Sequence, residues 1–123
     1  MYELKVKARF AAAHHLKMVA KKCENLHGHN WHIEVFVTGK SLNEAGVLVD
    51  FGVVKTHLRE IIETLDHKFL NELEMFSNSC PSSENVARYI ADSMDAKIDM
   101  PGVRVSRVMA WESDDAGATY IVE

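Results

Sequence analysis

The stretch that decides the fold is Leu26-His27-Gly28-His29-Asn30-Trp31, which opens a predicted strand. From Gly28 to Thr38 polar and apolar residues largely alternate, a period typical of a half-buried strand. His27 and His29 share the apolar face, and their side chains start about 6.6 Å apart, because a strand rises about 3.3 Å per residue. This spacing suits two imidazoles on one metal ion with Zn–N bonds of about 2.0–2.1 Å. The alternative is a pair of surface histidines.

A second alternating pattern runs from Tyr2 to His14, with apolar residues at even positions and mainly charged residues at odd positions. This parity places His14 on the core face with His27 and His29, and it turns His15 and His32 away. Three imidazoles with a fourth position open are typical of a catalytic zinc site. The alternative is three core histidines that are hydrogen-bonded to the backbone.

Length and composition limit the class of protein. The chain has 123 residues, which fits a single domain spanning residues 1–123. Its net charge of −4 offers no general attraction to nucleic acid or to an anionic membrane, so we expect neither as a partner. No apolar run reaches the roughly 20 residues that span a bilayer, and the N-terminus lacks a signal-peptide pattern. Two distant cysteines fit a reduced, cytoplasmic protein.

The remaining patterns predict two helices and two further strands. Asp50 is a plausible N-cap for a helix over about 51–65, and Pro81-Ser82-Ser83 begins a second helix that ends near Ala96. Strands over 103–112 and 118–122 flank a hairpin turn, and 66–71 is predicted to be irregular. The order β-β-α-α-β-β predicts an α+β fold, a four-stranded antiparallel sheet with two helices on one face. Apolar residues on the other face suggest that other subunits cover it.

Short motifs along nearly the whole chain carry a resemblance to a known family. They are Phe10-Ala11-Ala12-Ala13-His14, Cys23-Glu24-Asn25-Leu26-His27-Gly28-His29, Asp50-Phe51, Leu65-Asp66-His67, Phe69-Leu70-Asn71, Pro81-Ser82-Ser83-Glu84 and Trp111-Glu112. Their order and spacing resemble those of the 6-pyruvoyl-tetrahydropterin synthase family. The three residues between Cys23 and His27 resemble the spacing of the family's bacterial branch, the 6-carboxy-5,6,7,8-tetrahydropterin synthases.

The resemblance implies a fold, a metal and a substrate. It implies the tunnelling fold, in which trimers close a barrel and two trimers stack into a homohexamer with active sites between subunits. It implies a Zn²⁺ ion, here on His14, His27 and His29, and 7,8-dihydroneopterin triphosphate as substrate. The bacterial branch releases acetaldehyde and triphosphate and leaves 6-carboxy-5,6,7,8-tetrahydropterin, an early precursor of 7-deazaguanine compounds such as queuosine.

The resemblance also gives roles to side chains beyond the metal ligands. Cys23 is expected to act as the general base, because zinc, histidine and lysines nearby would favour its thiolate. His67 is the expected proton shuttle, with Asp66 fixing its tautomer. Glu112 is expected to anchor the pterin through two parallel hydrogen bonds and to join the proton relay of Cys23 and His67. Substrate contacts are also expected at the start of the second helix, where N–H groups are free: Ser82, Ser83 and Glu84.

Each assignment has an alternative. The serines can simply cap a helix, His67 and Glu112 can be ordinary surface residues, and Cys23 can be an inert loop cysteine. A 6-pyruvoyl-tetrahydropterin synthase would eliminate triphosphate without breaking the carbon chain, and a non-catalytic zinc-binding protein would carry the same ligands. The H-x-H-x-D-H site of metallo-hydrolases does not fit, because Trp31 replaces its aspartate.

Overall fold

Two long antiparallel strands lie at the centre of a five-stranded sheet. The computed structural model describes residues 1–16 and 27–123. In this part of the chain the strands are β1 (Tyr2–His14), β2 (His27–Gly39), β3 (Lys68–Phe69), β4 (Val103–Ser113) and β5 (Ala116–Ile121). The helices are α1 (Phe51–Glu63) and α2 (Ser83–Lys97), with two short 3-10 helices at Leu70–Glu72 and Glu74–Phe76. The strand order in the sheet is β3-β1-β2-β4-β5.

The predicted α+β class is confirmed, but the predicted strand count of four was one too low. The fifth strand is β3, which pairs in parallel with β1 at Ala12 and Ala13. Sequence periodicity cannot reveal a strand of two residues, because its pairing is fixed by the tertiary position of the chain. The last hairpin also turns earlier than predicted, so that β5 begins at Ala116.

The alternating patterns of β1 and β2 place one face of the sheet in the core, as predicted. Val6 and Phe10 of β1 are buried on this face, and so are Trp31, Ile33 and Val35 of β2. Facing positions share a side of the sheet, because Phe10 pairs with Trp31 in the register of the two strands.

Both helices cover the core face. The Asp50 side chain accepts a hydrogen bond of 2.7 Å from Gly52 N, which confirms the predicted N-cap of α1. The buried stripe of α1 contains Val54, Leu58 and Ile61, and α2 buries Val86 and neighbouring apolar residues. Among the described residues, no helix is both long and apolar enough to cross a membrane.

The opposite face of the sheet is partly covered by its own charged side chains. Phe36 is buried between Lys5 and Arg107, whose cationic groups lie 5.2 Å and 3.9 Å from the ring centroid. The Trp111 Nε1–H donates a 2.8 Å hydrogen bond to Glu34. These contacts reduce the apolar surface of this face without covering it by a further described element.

Replacement of Gly39 by alanine should destabilise the fold. A Cβ atom there would lie 2.5 Å from Leu48 Cδ1 and 2.9 Å from the Gly102 carbonyl oxygen. Overpacking of this kind costs about 1–3 kcal/mol in the free energy of unfolding, measured by urea denaturation. The matched control is Gly28→Ala in the same strand, where a Cβ would meet nothing within 4 Å. An equal loss in both variants would contradict the steric argument.

Candidate active site

Three imidazoles converge where β1 ends and β2 begins. His14 pairs with His27 in the strand register, and His29 pairs with Ala12 two residues further along β2. The ring centroids lie 4.8 Å apart for His14 and His27, 5.1 Å for His14 and His29, and 4.6 Å for His27 and His29. The predicted core-face parity therefore brings the three rings together, with His14 fully buried.

Trp31 forms the apolar floor of this cluster. Its ring centroid lies 5.1 Å from that of His14 and 5.8 Å from that of His29, and it stacks on Phe10 at 5.7 Å. The indole N–H points to the Ala12 carbonyl oxygen at 3.4 Å, so that its polar atom stays inside the same pair of strands. A fixed apolar wall limits access of water to the imidazoles and lowers the local dielectric constant.

The His14 ring is oriented by a backbone carbonyl group. Its Nδ1 lies 2.7 Å from the carbonyl oxygen of Pro81, which is followed by Ser82, the N-cap of α2. Because a carbonyl oxygen only accepts, Nδ1 carries the hydrogen and Nε2 of the neutral ring presents its lone pair. His14 Nε2 and His29 Nε2 are both buried without a hydrogen-bond partner among the described residues. A metal ion bound between these two buried nitrogens would satisfy both of them.

Glu112 completes the cluster from β4. Its Oε1 lies 2.9 Å from His14 Nε2 and 3.6 Å from His29 Nε2. A carboxylate oxygen and an imidazole lone pair repel each other unless a cation or a proton lies between them. One ligand atom from each of the four side chains lies within 4.8 Å of the others, so this group can bind a metal ion. The register of β4 and β5 shifts between Trp111 and Ser113, and such an irregularity re-aims a side chain.

Burial favours the neutral form of His29, which is the form that ligates a metal. Removal of the ring from water lowers its pKa below the ordinary value of 6.5, and the neighbouring His14 and His27 act in the same direction. The Glu112 carboxylate opposes them. Metal ligation needs a deprotonated imidazole nitrogen, and the neutral ring of His29 has such a nitrogen with its lone pair available.

Asp66 and His67 form a hydrogen-bonded pair at the outer edge of β1. Asp66 Oδ1 accepts from Ala11 N at 2.9 Å and lies 3.0 Å from His67 Nδ1. His67 N donates to the Ala11 carbonyl oxygen at 2.6 Å. His67 has a φ of 59°, an uncommon conformation for a residue other than glycine, and strained residues cluster at functional sites. Its side chain is 82% exposed, and no described contact joins it to the imidazole cluster.

The remaining predicted site residues divide into three groups. The Ser82 hydroxyl accepts from Asn85 N at 3.2 Å and caps α2, which is also what the capping alternative expects. Ser83 is half-buried and Glu84 is exposed in the first turn of α2, so both lie close to the carbonyl group that orients His14. Cys23 lies outside the described residues.

Sequence reasoning gave no role to two groups that shape the site. The Pro81 carbonyl could not be found, because a backbone oxygen has no side-chain signature. Asn71 lies in one of the quoted motifs, and its carboxamide bonds both the N–H and the carbonyl group of His15 at 2.9 Å. Only its residue type could have indicated this role, because an asparagine side chain can both donate and accept hydrogen bonds, as a peptide group does.

Fold and site together define the class, an α+β domain with a candidate metal centre at one end of its sheet. Residues 3–123 match the family described as 6-pyruvoyl tetrahydropterin synthase, so the chain belongs to that family. A relative from Synechocystis named 6-carboxy-5,6,7,8-tetrahydropterin synthase is 33% identical, over 90% of this chain and 86% of its own. A relative from Pyrococcus furiosus named dihydroneopterin monophosphate aldolase is also 33% identical, over 90% of each chain.

A solved structure agrees with this assignment. The 6-pyruvoyl tetrahydropterin synthase of Caenorhabditis elegans superposes with a TM-score of 0.88 at 25% identity, covering 99% of this chain and 96% of its own. The chain fold expected from the resemblance, that of one tunnelling-fold subunit, is therefore confirmed, with the two-residue β3 as the difference from the predicted strand count.

Asp66→Asn should reveal the charge of Asp66 through its pH dependence. The Ala11 N–H, and then His67, hold the pKa of the Asp66 carboxyl below its usual value of 3.8. The charge therefore stabilises the folded state above about pH 4, and this contribution is lost as the pH falls through the folded-state pKa. By urea denaturation, the free energy of unfolding should be larger for the wild type than for the variant at pH 7, and this difference should be smaller at pH 3. A difference of constant size would contradict this explanation.

Proposed function

We propose that the chain is a zinc-dependent lyase that converts 7,8-dihydroneopterin triphosphate and water to 6-carboxy-5,6,7,8-tetrahydropterin, acetaldehyde and triphosphate. It would act in 7-deazaguanine and queuosine biosynthesis. The observation that carries the proposal is the pair of buried Nε2 atoms of His14 and His29, which face the carboxylate of Glu112 without a hydrogen-bond partner among the described residues. The choice of reaction is supported by several relatives that are named 6-carboxy-5,6,7,8-tetrahydropterin synthase.

Zinc is the metal that suits the donor set. His14, His27 and His29 would hold it, because three neutral imidazoles with room for one more ligand match a catalytic zinc site. When bound, zinc supplies Lewis acidity that lowers the pKa of the substrate's side-chain hydroxyl groups. The chain contributes the orientation of His14 through the Pro81 carbonyl and the exclusion of water by Trp31.

Proton transfer is assigned to two side chains. Cys23 is the proposed general base, acting as a thiolate on the carbon framework of the substrate. His67 is the proposed proton shuttle, and the contact between its Nδ1 and Asp66 supports this role, because a carboxylate fixes the tautomer and stabilises the imidazolium. Catalysis by His67 would need the cluster of another subunit, since the ring is exposed and lacks a described contact with its own.

Pterin binding is assigned to Glu112 and the start of α2. The Glu112 side chain is 28% exposed at the rim of the cluster, which leaves it accessible to a ligand. Its carboxylate would accept two parallel hydrogen bonds from the 2-amino group and N3–H of the pterin. Ser82, Ser83 and Glu84 are proposed to line the same side, because the carbonyl before them contacts His14.

A homohexamer of two stacked trimers is part of the proposal. Among the described residues, β3 covers the outer edge of β1 only at Ala12 and Ala13, and no strand pairs with the outer edge of β5. Unpaired edges of this length are templates for pairing with another chain. Subunits joined at these edges would form a barrel and bring His67 of one subunit toward a neighbour. We propose a cytoplasmic enzyme with a small-molecule substrate and with neither nucleic acid nor membrane as partner.

Three other outcomes share this fold. A 6-pyruvoyl-tetrahydropterin synthase would eliminate triphosphate and keep the carbon chain intact. An aldolase acting on dihydroneopterin monophosphate is suggested by the Pyrococcus furiosus relative. A non-catalytic zinc-binding protein would keep the imidazole cluster and produce nothing. The products released by the purified protein distinguish all of these.

Single alanine substitutions at His14, His27 or His29 should abolish zinc binding. The wild type should carry about one zinc ion per chain by elemental analysis, and the variants close to none, because three ligands are needed to hold the ion. His32→Ala is the matched control, since His32 lies on the same strand and alternates to the other face of the sheet. Full zinc content in a ligand variant, or equal loss in His32→Ala, would refute the assignment.

Incubation with dihydroneopterin triphosphate and mass analysis of the products tests the reaction. We expect acetaldehyde and 6-carboxytetrahydropterin from the wild type, and a fall in kcat of about 10²–10⁴-fold in Cys23→Ala. Cys80→Ala is the control, because Cys80 is an exposed free cysteine. A product that keeps the full carbon chain would favour the pyruvoyl enzyme, and cleavage of the monophosphate alone would favour the aldolase. An active Cys23→Ala would remove Cys23 from the mechanism.

A further inference from the structure

The last third of β1 is held along its outer edge by one short segment of the chain. The Ala11 N–H donates a hydrogen bond to the Asp66 side chain, and the Ala11 carbonyl oxygen accepts one from His67 N. Ala13 pairs with Phe69 of β3. The next residue on this edge is His15, two positions further on, because alternate residues of a strand point to the same side. Among the described residues, the N–H and the carbonyl group of His15 bond to a side chain and not to the backbone of a neighbouring strand.

The Asn71 side chain takes the place of that missing strand. Its Oδ1 accepts from His15 N at 2.9 Å, and its Nδ2 donates to the His15 carbonyl oxygen at 2.9 Å. The backbone cannot do this, because β3 ends at Phe69 and the chain turns into the 3-10 helix Leu70–Glu72. A carboxamide carries one acceptor and a donor in the arrangement of a peptide group, so it continues the ladder by one residue.

We propose that Asn71 is a positioning residue for the candidate metal centre. His14 precedes His15, and the bond of Asn71 to His15 N fixes the peptide that follows the His14 Cα, while its bond to the His15 carbonyl oxygen fixes the next peptide. The ring is held at its other end by the Pro81 carbonyl at 2.7 Å. With both the main chain and Nδ1 fixed, His14 Nε2 has a defined position relative to His29 and Glu112. The inference rests on the metal centre proposed above.

The two hydrogen bonds of Asn71 lie beside a ring contact of the same residue, His15. The contact is part-buried, and the His15 ring stacks on Phe69 at 5.7 Å beside it. Loss of the carboxamide would leave two backbone groups of His15 to find partners by moving the end of β1. Movement there displaces His14 first, since it is the adjacent residue. Groups that orient metal ligands typically contribute 10- to 100-fold in metal affinity.

The test compares zinc affinity in the wild type, Asn71→Ala and Asn43→Ala, measured by competition with a chromophoric chelator. Asn43 is the matched control, because its side chain also makes two bonds to the backbone, with Ala45 N at 2.9 Å and Val47 N at 3.3 Å. We expect zinc affinity to fall about 10- to 100-fold in Asn71→Ala and less than about twofold in Asn43→Ala. The d–d spectrum of bound Co²⁺ should change only in the Asn71 variant. Wild-type affinity and spectrum in Asn71→Ala would overturn the proposal.

Two further measurements separate the possible failures. If Asn71→Ala does not fold, Asn71→Ser, which offers a hydroxyl group in place of the carboxamide, should show a partial loss of affinity. If the wild type binds no zinc, the proposed metal centre fails. In that case amide hydrogen exchange of the metal-free protein still tests the positioning step. Exchange at His15 should accelerate in the Asn71 variant and not in Asn43→Ala, and unchanged exchange would refute the role.

Discussion

The hydrogen bond from His14 Nδ1 to the Pro81 carbonyl oxygen links the sheet to the start of helix α2. At 2.7 Å it connects the end of β1 with Pro81, which lies two residues before α2 and 67 positions later in the chain than His14. A backbone oxygen can only accept, so Nδ1 carries a hydrogen, and in the neutral ring Nε2 then presents its lone pair on the side of Glu112. The same contact brings the N-terminus of α2 beside the imidazole cluster. The position of His14, the polarity of its ring and the neighbouring helix start all depend on it.

The site and the core are two parts of one face of the sheet. The side chains that alternate inward along β1 and β2 are apolar over most of their length and become imidazoles only at the end near residues 14 and 27. Trp31 lies at this boundary, in contact with both Phe10 and His14. Packing that stabilises the fold therefore also surrounds the cluster with apolar groups. The burial that lowers the pKa of His29 is a consequence of the same packing.

The sequence predicted those features that depend on local periodicity. The face of each histidine follows from a period of two, so the meeting of His14 with His27 and His29 can be expected from the order of the residues alone. Glu112 was placed near the substrate by family resemblance, whereas its 2.9 Å approach to His14 depends on the irregular end of β4. The Pro81 carbonyl, the Asn71 carboxamide and β3 were not predicted, because backbone partners and two-residue pairings leave no pattern in the sequence.

Strand β1, whose outer side is paired only with the two-residue β3, differs sharply in charge from the edge strand β5. The side chains that alternate along the uncovered part of β1 include Glu3, Lys5, Lys7 and Arg9, whereas β5 has no ionisable acid or base except Tyr120. Two copies that met β1 against β1 would bring mostly like charges together, which disfavours a symmetric, isologous dimer. Contact of β1 with β5 avoids this repulsion and is heterologous. Heterologous contacts repeat head to tail instead of pairing two copies about a twofold axis, so the charges of β1 disfavour the twofold pair.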